Sequence, residues 1–120
     1  MRPERLYLHD IAEAIQDIEQ IVAGRGLDAL AGDITVRRAV LHALMVIGEA
    51  ASKLPVGFKD RHPEVPWRQI VAFRNVVVHG YFALDWDIIR DALTYDLPEL
   101  KGQIAAITSA EFPQDTTGDT

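Results

Sequence analysis

Residues 67–82 read WRQIVAFRNVVVHGYF, and the fold turns on whether Val76–Val78 form a strand or a helix. Three successive β-branched residues lower helix propensity and suit a strand. A strand needs a partner, and no second strand-like segment stands elsewhere in the 120 residues. Trp67, Ile70, Val71, Phe73, Val77 and Val78 instead give one apolar face at helical spacing. Pro66 suits the first helical position, and Gly80 suits the position just past the last. The stretch is therefore a helix whose valines face a core. It also carries Arg74, Asn75, His79 and Tyr81, which a purely packed segment does not require.

Three more helices follow from the same periodicity. Leu8, Ile11, Ile15, Ile18 and Val22 form a narrow apolar seam that Gly24 and Gly26 stop. After a loop at 27–34, Asp33 or Thr35 caps a second helix. It carries Val36, Val40, Leu44, Ile47, Ala51 and Leu54, and ends before Pro55. Gly48 inside it costs roughly 1 kcal/mol against alanine, which predicts close approach of a neighbouring backbone. Residues 55–66, PVGFKDRHPEVP, form a proline-rich connection. Asp85 or Asp87 opens the fourth helix, with Trp86, Ile89, Leu93, Leu97, Leu100, Ile104 and Ile107 on one side. Pro98 lies inside that pattern and should kink it. The polar end, 109–120, reads as a disordered tail. The expected fold is an all-α, antiparallel four-helix up-and-down bundle over residues 1–108, with a kinked last helix. So small a bundle leaves apolar surface over, which favours a homodimer.

Composition narrows the function classes. The net charge of −6 argues against a broad nucleic-acid footprint, but not against a small site gripping one or two phosphates. The absence of cysteine removes disulfides, thiolate metal sites and cysteine nucleophiles. No apolar run approaches the length of a membrane span, and the charged N-terminal segment does not read as a signal peptide. A cytoplasmic protein without membrane association is expected.

Candidate chemistry concentrates in the third helix. Among His9, His42, His62 and His79 no pair has the i, i+4 spacing of a helical metal site, so no metal is expected. His9 and His42 read as helix-surface or core-edge residues. Gly24-Arg25-Gly26 is too short for a phosphate-binding loop. Glu49, in IGEAA, is either an exposed or salt-bridged acid or a carboxylate that orients Arg74. Arginine binds phosphate through two N–H groups and stabilises added charge on it. Histidine moves a proton near neutrality. Arg74 and His79 together suffice for metal-free RNA cleavage, in which a 2′-OH attacks the adjacent phosphate. Asn75 shares the face of His79 and can hold it or the phosphate. Tyr81 can donate to phosphate, stack on a base, or be modified. Arg74 and His79, however, lie about 140° apart on an ideal helix. A helix end at Gly80, or a cleft between two copies, would bring them together. Read by spacing alone, the same residues also fit simple dimer packing.

The string RNVVVHGY resembles the R-x4-H-x-Y motif of HEPN-domain toxins, with Arg74, His79 and Tyr81 at the motif positions. VIGEAASKLP, HPEVPWRQIVAFRNVVVHGYF and LPELK are similar to features of the HepT-like subgroup, in order and over Leu6–Ile107. The resemblance implies a dimerising all-α bundle and a metal-independent ribonuclease without a cofactor. It implies the toxin of a two-gene pair, with catalytic Arg74 and His79, to which the residue chemistry adds Asn75 and Glu49 as support. It further implies a minimal nucleotidyltransferase antitoxin that transfers AMP to Tyr81. Arg61 and Arg68, with His62, are candidate RNA contacts in a local groove. A non-catalytic helical partner and substrate of such a nucleotidyltransferase is the alternative.

Overall fold

The computed structural model describes residues 3–28, 32–79 and 85–113, with the backbone alone at His79. Every regular element among them is helical, so the fold is an all-α bundle. The valine stretch is helix, as the lack of a partner strand requires.

Helix α1, Pro3–Val22, buries Leu8, Ile11, Ala14, Ile15 and Ile18 along one helical face. It stops where expected. Gly24 and Gly26 adopt φ of 74° and 75°, a left-handed conformation that costs glycine little. Helix α2, Ile34–Lys53, opens on Asp33, whose carboxylate accepts from the N–H groups of Thr35 and Val36 at 2.9 and 3.3 Å. That cap satisfies two of the donors that every helix start leaves free. Helix α2 packs against both α1 and α4 and buries Val36, Val40, Leu44 and Ile47.

The 55–66 connection is more ordered than its prolines suggest. A short helix α3, Val56–Asp60, follows Pro55 and drives Phe58 into the core. Helix α4, Trp67–His79, is then anchored by Trp67, whose indole N–H donates to the His62 carbonyl at 3.0 Å. Of the three valines only Val77 is core, at 1% exposure, whereas Val76 and Val78 are 55% and 43% exposed. The expected shared face for Val77 and Val78 is corrected accordingly. Successive helical residues are turned by about 100°, so neighbours of a fully buried residue point away from the core. Gly80, read as the residue past the helix, lies outside the described residues.

Asp85 caps α5, Trp86–Asp91, by accepting from the Asp87 N–H at 2.9 Å. A π turn, Ala92–Asp96, joins α5 to α6, Leu97–Glu111. The distortion expected from Pro98 is this wide turn. Proline has no N–H and its ring collides with the carbonyl four residues back. The chain relaxes just upstream, where the Leu97 N–H reaches the Ala92 carbonyl five residues back. Helix α6 runs past Ser109, the expected start of the tail, and Phe112 packs against the core. Glu111 explains the extension: it accepts from Arg61 at 3.2 and 3.3 Å and lies 2.6 Å from His62 Nε2. The expected tail start at Ser109 is thus helical through Glu111; residues 114–120 lie outside the described residues.

Candidate active site

Arg74 sits at the crossing of α4 and α2, and Gly48 makes room for it. A Cβ on Gly48 would lie 2.2 Å from Arg74 Cβ, 2.6 Å from its Cγ and 3.4 Å from its Cα. Carbon atoms normally keep about 3.5–4.0 Å apart. No side chain fits there, so the expected close approach is real, and Arg74 is what approaches. The contact fixes the root of the arginine side chain.

Glu49, the next residue on α2, fixes its tip. Arg74 Nη1 donates to Glu49 Oε1 at 2.5 Å. The pair is partly open, with side-chain exposures of 27% for Arg74 and 49% for Glu49. Water screens such a pair, so it contributes at most about 1 kcal/mol to stability. Its effect is on direction. Only one edge of the guanidinium is engaged: Nε is buried without a hydrogen-bond partner among the described residues. A buried N–H left unpaired costs about 1–3 kcal/mol. Of the two readings of Glu49, the ion pair with Arg74 is the observed one, and it is compatible with orientation.

Arg74 and Val78, one helical turn apart, form one wall of a cavity of about 320 Å³. Tyr7 and Asp10 of α1 and a stripe of α2 complete it. That stripe runs His42, Met45, Val46, Glu49, Ala50 and Lys53, alternating steps of three and one. Asp10, His42 and Lys53 make no hydrogen bond or ion pair among the described residues. His42 is exposed, as a helix-surface residue should be, but it shares its patch of surface with this cavity. The α2 stripe is visible in the sequence as a helical row through Glu49. Its facing partners on α1 are not.

The other candidates fall elsewhere. Asn75 is exposed and lines a shallow groove with Arg68, Val71 and Lys59, on a different side of α4 from the Arg74 cavity. Arg61 binds Glu111 and lies 5.2 Å from the centre of the Phe58 ring. Neither Arg61 nor Arg68 lines the Arg74 cavity. Hydrogen bonds from Arg61 and then His62 hold the Glu111 carboxyl below the usual carboxylate range. The His79 backbone closes α4, but its side chain, and all of Tyr81, lie outside the described residues.

The fold and this setting define an all-α domain that holds an arginine at an open cavity, a class suited to gripping a phosphate. The model of the family described as "Ribonuclease HepT-like" matches residues 11–107. A protein named "Probable ribonuclease HepT", from Thermococcus cleftensis, is 38% identical over 102 residues, covering 85% of this chain and 93% of that one. One named "Putative RNase TTE0752", from Caldanaerobacter subterraneus subsp. tengcongensis, is 32% identical over 111 residues, covering 92% and 99%. No solved structure matches the chain. The chain belongs to the HepT-like family of ribonucleases. Among the described residues no helix is long and apolar enough to cross a membrane.

Proposed function

We propose that this chain is the toxin of a toxin–antitoxin pair, a metal-independent endoribonuclease that cuts RNA with Arg74 and His79 at a cleft between two copies. The observation that carries the reading is the seating of Arg74. Gly48 and Glu49 hold it, Glu49 engages only its Nη1, and the side chain keeps 27% of its surface exposed. His79 follows five residues later on the same helix.

In the proposed reaction an RNA 2′-OH attacks the adjacent phosphorus and loses its proton. The bond from phosphorus to the 5′ oxygen breaks, and that oxygen takes up a proton. Arg74 neutralises charge on the phosphoryl oxygens as it builds. His79 carries the proton transfer, with Asn75 four residues before it on the helix as its support. Arg68, beside Asn75 in the same groove, is a contact for the flanking phosphate.

Arg74 and His79 do not share a stripe of one helix, so a second copy is part of the reading. The exposed Val76, which lies off the Arg74 cavity, supplies apolar surface for that contact. Control is assigned to a minimal nucleotidyltransferase that transfers AMP from ATP onto the Tyr81 hydroxyl: the hydroxyl oxygen bonds the α-phosphorus, the α–β anhydride breaks and pyrophosphate leaves. A bulky anion there would exclude RNA phosphate from Arg74. The protein acts in the cytoplasm, where its substrate is.

The test is cleavage of RNA by purified protein in EDTA. Cutting should persist in the chelator and be lost in Arg74→Ala and in His79→Ala. Cutting that survives in both variants removes the proposal. Incubation with the nucleotidyltransferase and ATP should add one AMP mass to the wild type and none to Tyr81→Phe.

A further inference from the structure

Beyond the Arg74 phosphate contact, the cavity next to it has a chemistry of its own. Its floor is half-buried Tyr7, Val46 and Asp10, and Met45 and Val78 stand at its rim. Of the two carboxylates in its lining, Glu49 is paired with Arg74, whereas Asp10 lies beside Tyr7 and the apolar side chains. Asp10 is half-buried and has neither a cation nor a hydrogen-bond donor among the described residues. An ionised carboxylate accepts hydrogen bonds only, so Asp10 offers two acceptor oxygens to a ligand that carries donors. About 320 Å³ lies at the lower end of the range of small-molecule sites, roughly 300–1,000 Å³. Arg74 belongs to the same wall, so a phosphate on its guanidinium places the attached nucleoside at the cavity mouth.

We propose that this cavity is a nucleobase subsite. It takes the base next to the phosphate held by Arg74, and Asp10 selects guanine. The inference rests on the ribonuclease reading of Arg74. Single-stranded RNA is read by splayed bases that lie against aromatic and apolar side chains and bond through their Watson–Crick edges. Tyr7, Val46 and Met45 supply the surfaces. Guanine N1–H and N2–H2 are adjacent donors that match the two oxygens of Asp10. Uracil has one N–H between two carbonyls, which would face the carboxylate unfavourably. His42 and Lys53 lie at the exposed rim, where a flanking phosphate or a ribose would pass.

The experiment is cleavage of a pool of RNA with random sequence, followed by sequencing of the cut ends. Guanine should be enriched over uracil beside the cut by about tenfold, which one good bidentate contact supports. Asp10→Asn should flatten that preference while the pool is still cut. Cutting without base preference, or with the same preference in Asp10→Asn, overturns the subsite and leaves the ribonuclease reading standing. If the wild type cuts nothing, the ribonuclease reading fails and the subsite is judged by binding. In an NMR titration, guanosine 5′-monophosphate should shift the Met45, Val46 and Val78 methyl signals and bind more tightly than ribose 5-phosphate. Equal affinity, or no shift of those methyls, overturns it.

Discussion

Replacing Gly48 by alanine tests the placement of Arg74 most sharply by stability. The new methyl would sit 2.2 Å from Arg74 Cβ and 2.6 Å from Cγ. Neither atom is the far end of a flexible chain, so relief requires α2 and α4 to separate or α4 to rotate. Overpacking of this kind costs roughly 1–3 kcal/mol. Alanine also gains roughly 1 kcal/mol of helix propensity over glycine, which hides part of the cost. Gly102 supplies the control, because it lies mid-helix in α6 and a methyl added there would meet nothing within 4 Å. Gly102→Ala should therefore stabilise by roughly 1 kcal/mol through propensity alone. The difference between the two variants isolates the clash, and should be about 1–3 kcal/mol against Gly48→Ala. Urea denaturation with fitted midpoints and slopes measures it. Cleavage by Gly48→Ala should fall as well, since Arg74 moves. Equal stabilisation by the two alanines would refute the close approach, and with it the way Arg74 is held.

Other expectations follow from single contacts. Glu49→Gln should change stability by no more than about 1 kcal/mol, because the pair is partly open, yet slow cleavage several-fold as Arg74 loses its guide. Denaturant midpoints and initial rates separate the two effects. Val77→Ala should cost about 2 kcal/mol and Val76→Ala almost nothing, since only the first is buried; equal losses would contradict the register of α4. Glu111→Gln should lower stability at neutral pH by about 1 kcal/mol. The folded carboxyl is held below its usual range, so its contribution is present above that range and is lost as pH falls through the lowered value. Wild type and variant should therefore converge in acid, and thermal melts between neutral pH and about pH 3 would show it.

The architecture is readable from the sequence because helical spacing is a local property. Asp33, Asp85, Gly24 and Gly26 act where their own side chains and φ angles dictate. Gly48 announces a close contact, but not that Arg74 is the neighbour, because the pairing joins residues far apart in the chain. The same limit explains the end of α6. Ser109–Phe112 look like tail until Arg61 and His62 arrive from the α3 side to hold Glu111. Charge alone makes those two residues candidate RNA contacts, and charge does not reveal an internal partner. The valines show a different limit: a run of three can be apolar while only Val77 faces inward. The cavity beside Arg74 needs the register of α1 against α2, which periodicity within either helix does not contain.

The central claim is that Arg74 binds the phosphate that is cut, through a planar fork that a lysine cannot copy. The measurement is the RNA cleavage rate of Arg74→Lys at constant fold, checked by circular dichroism. A loss of at least about a hundredfold is expected, the order that removal of one oriented transition-state donor produces. A rate within about threefold of wild type, well inside that margin, would contradict the claim.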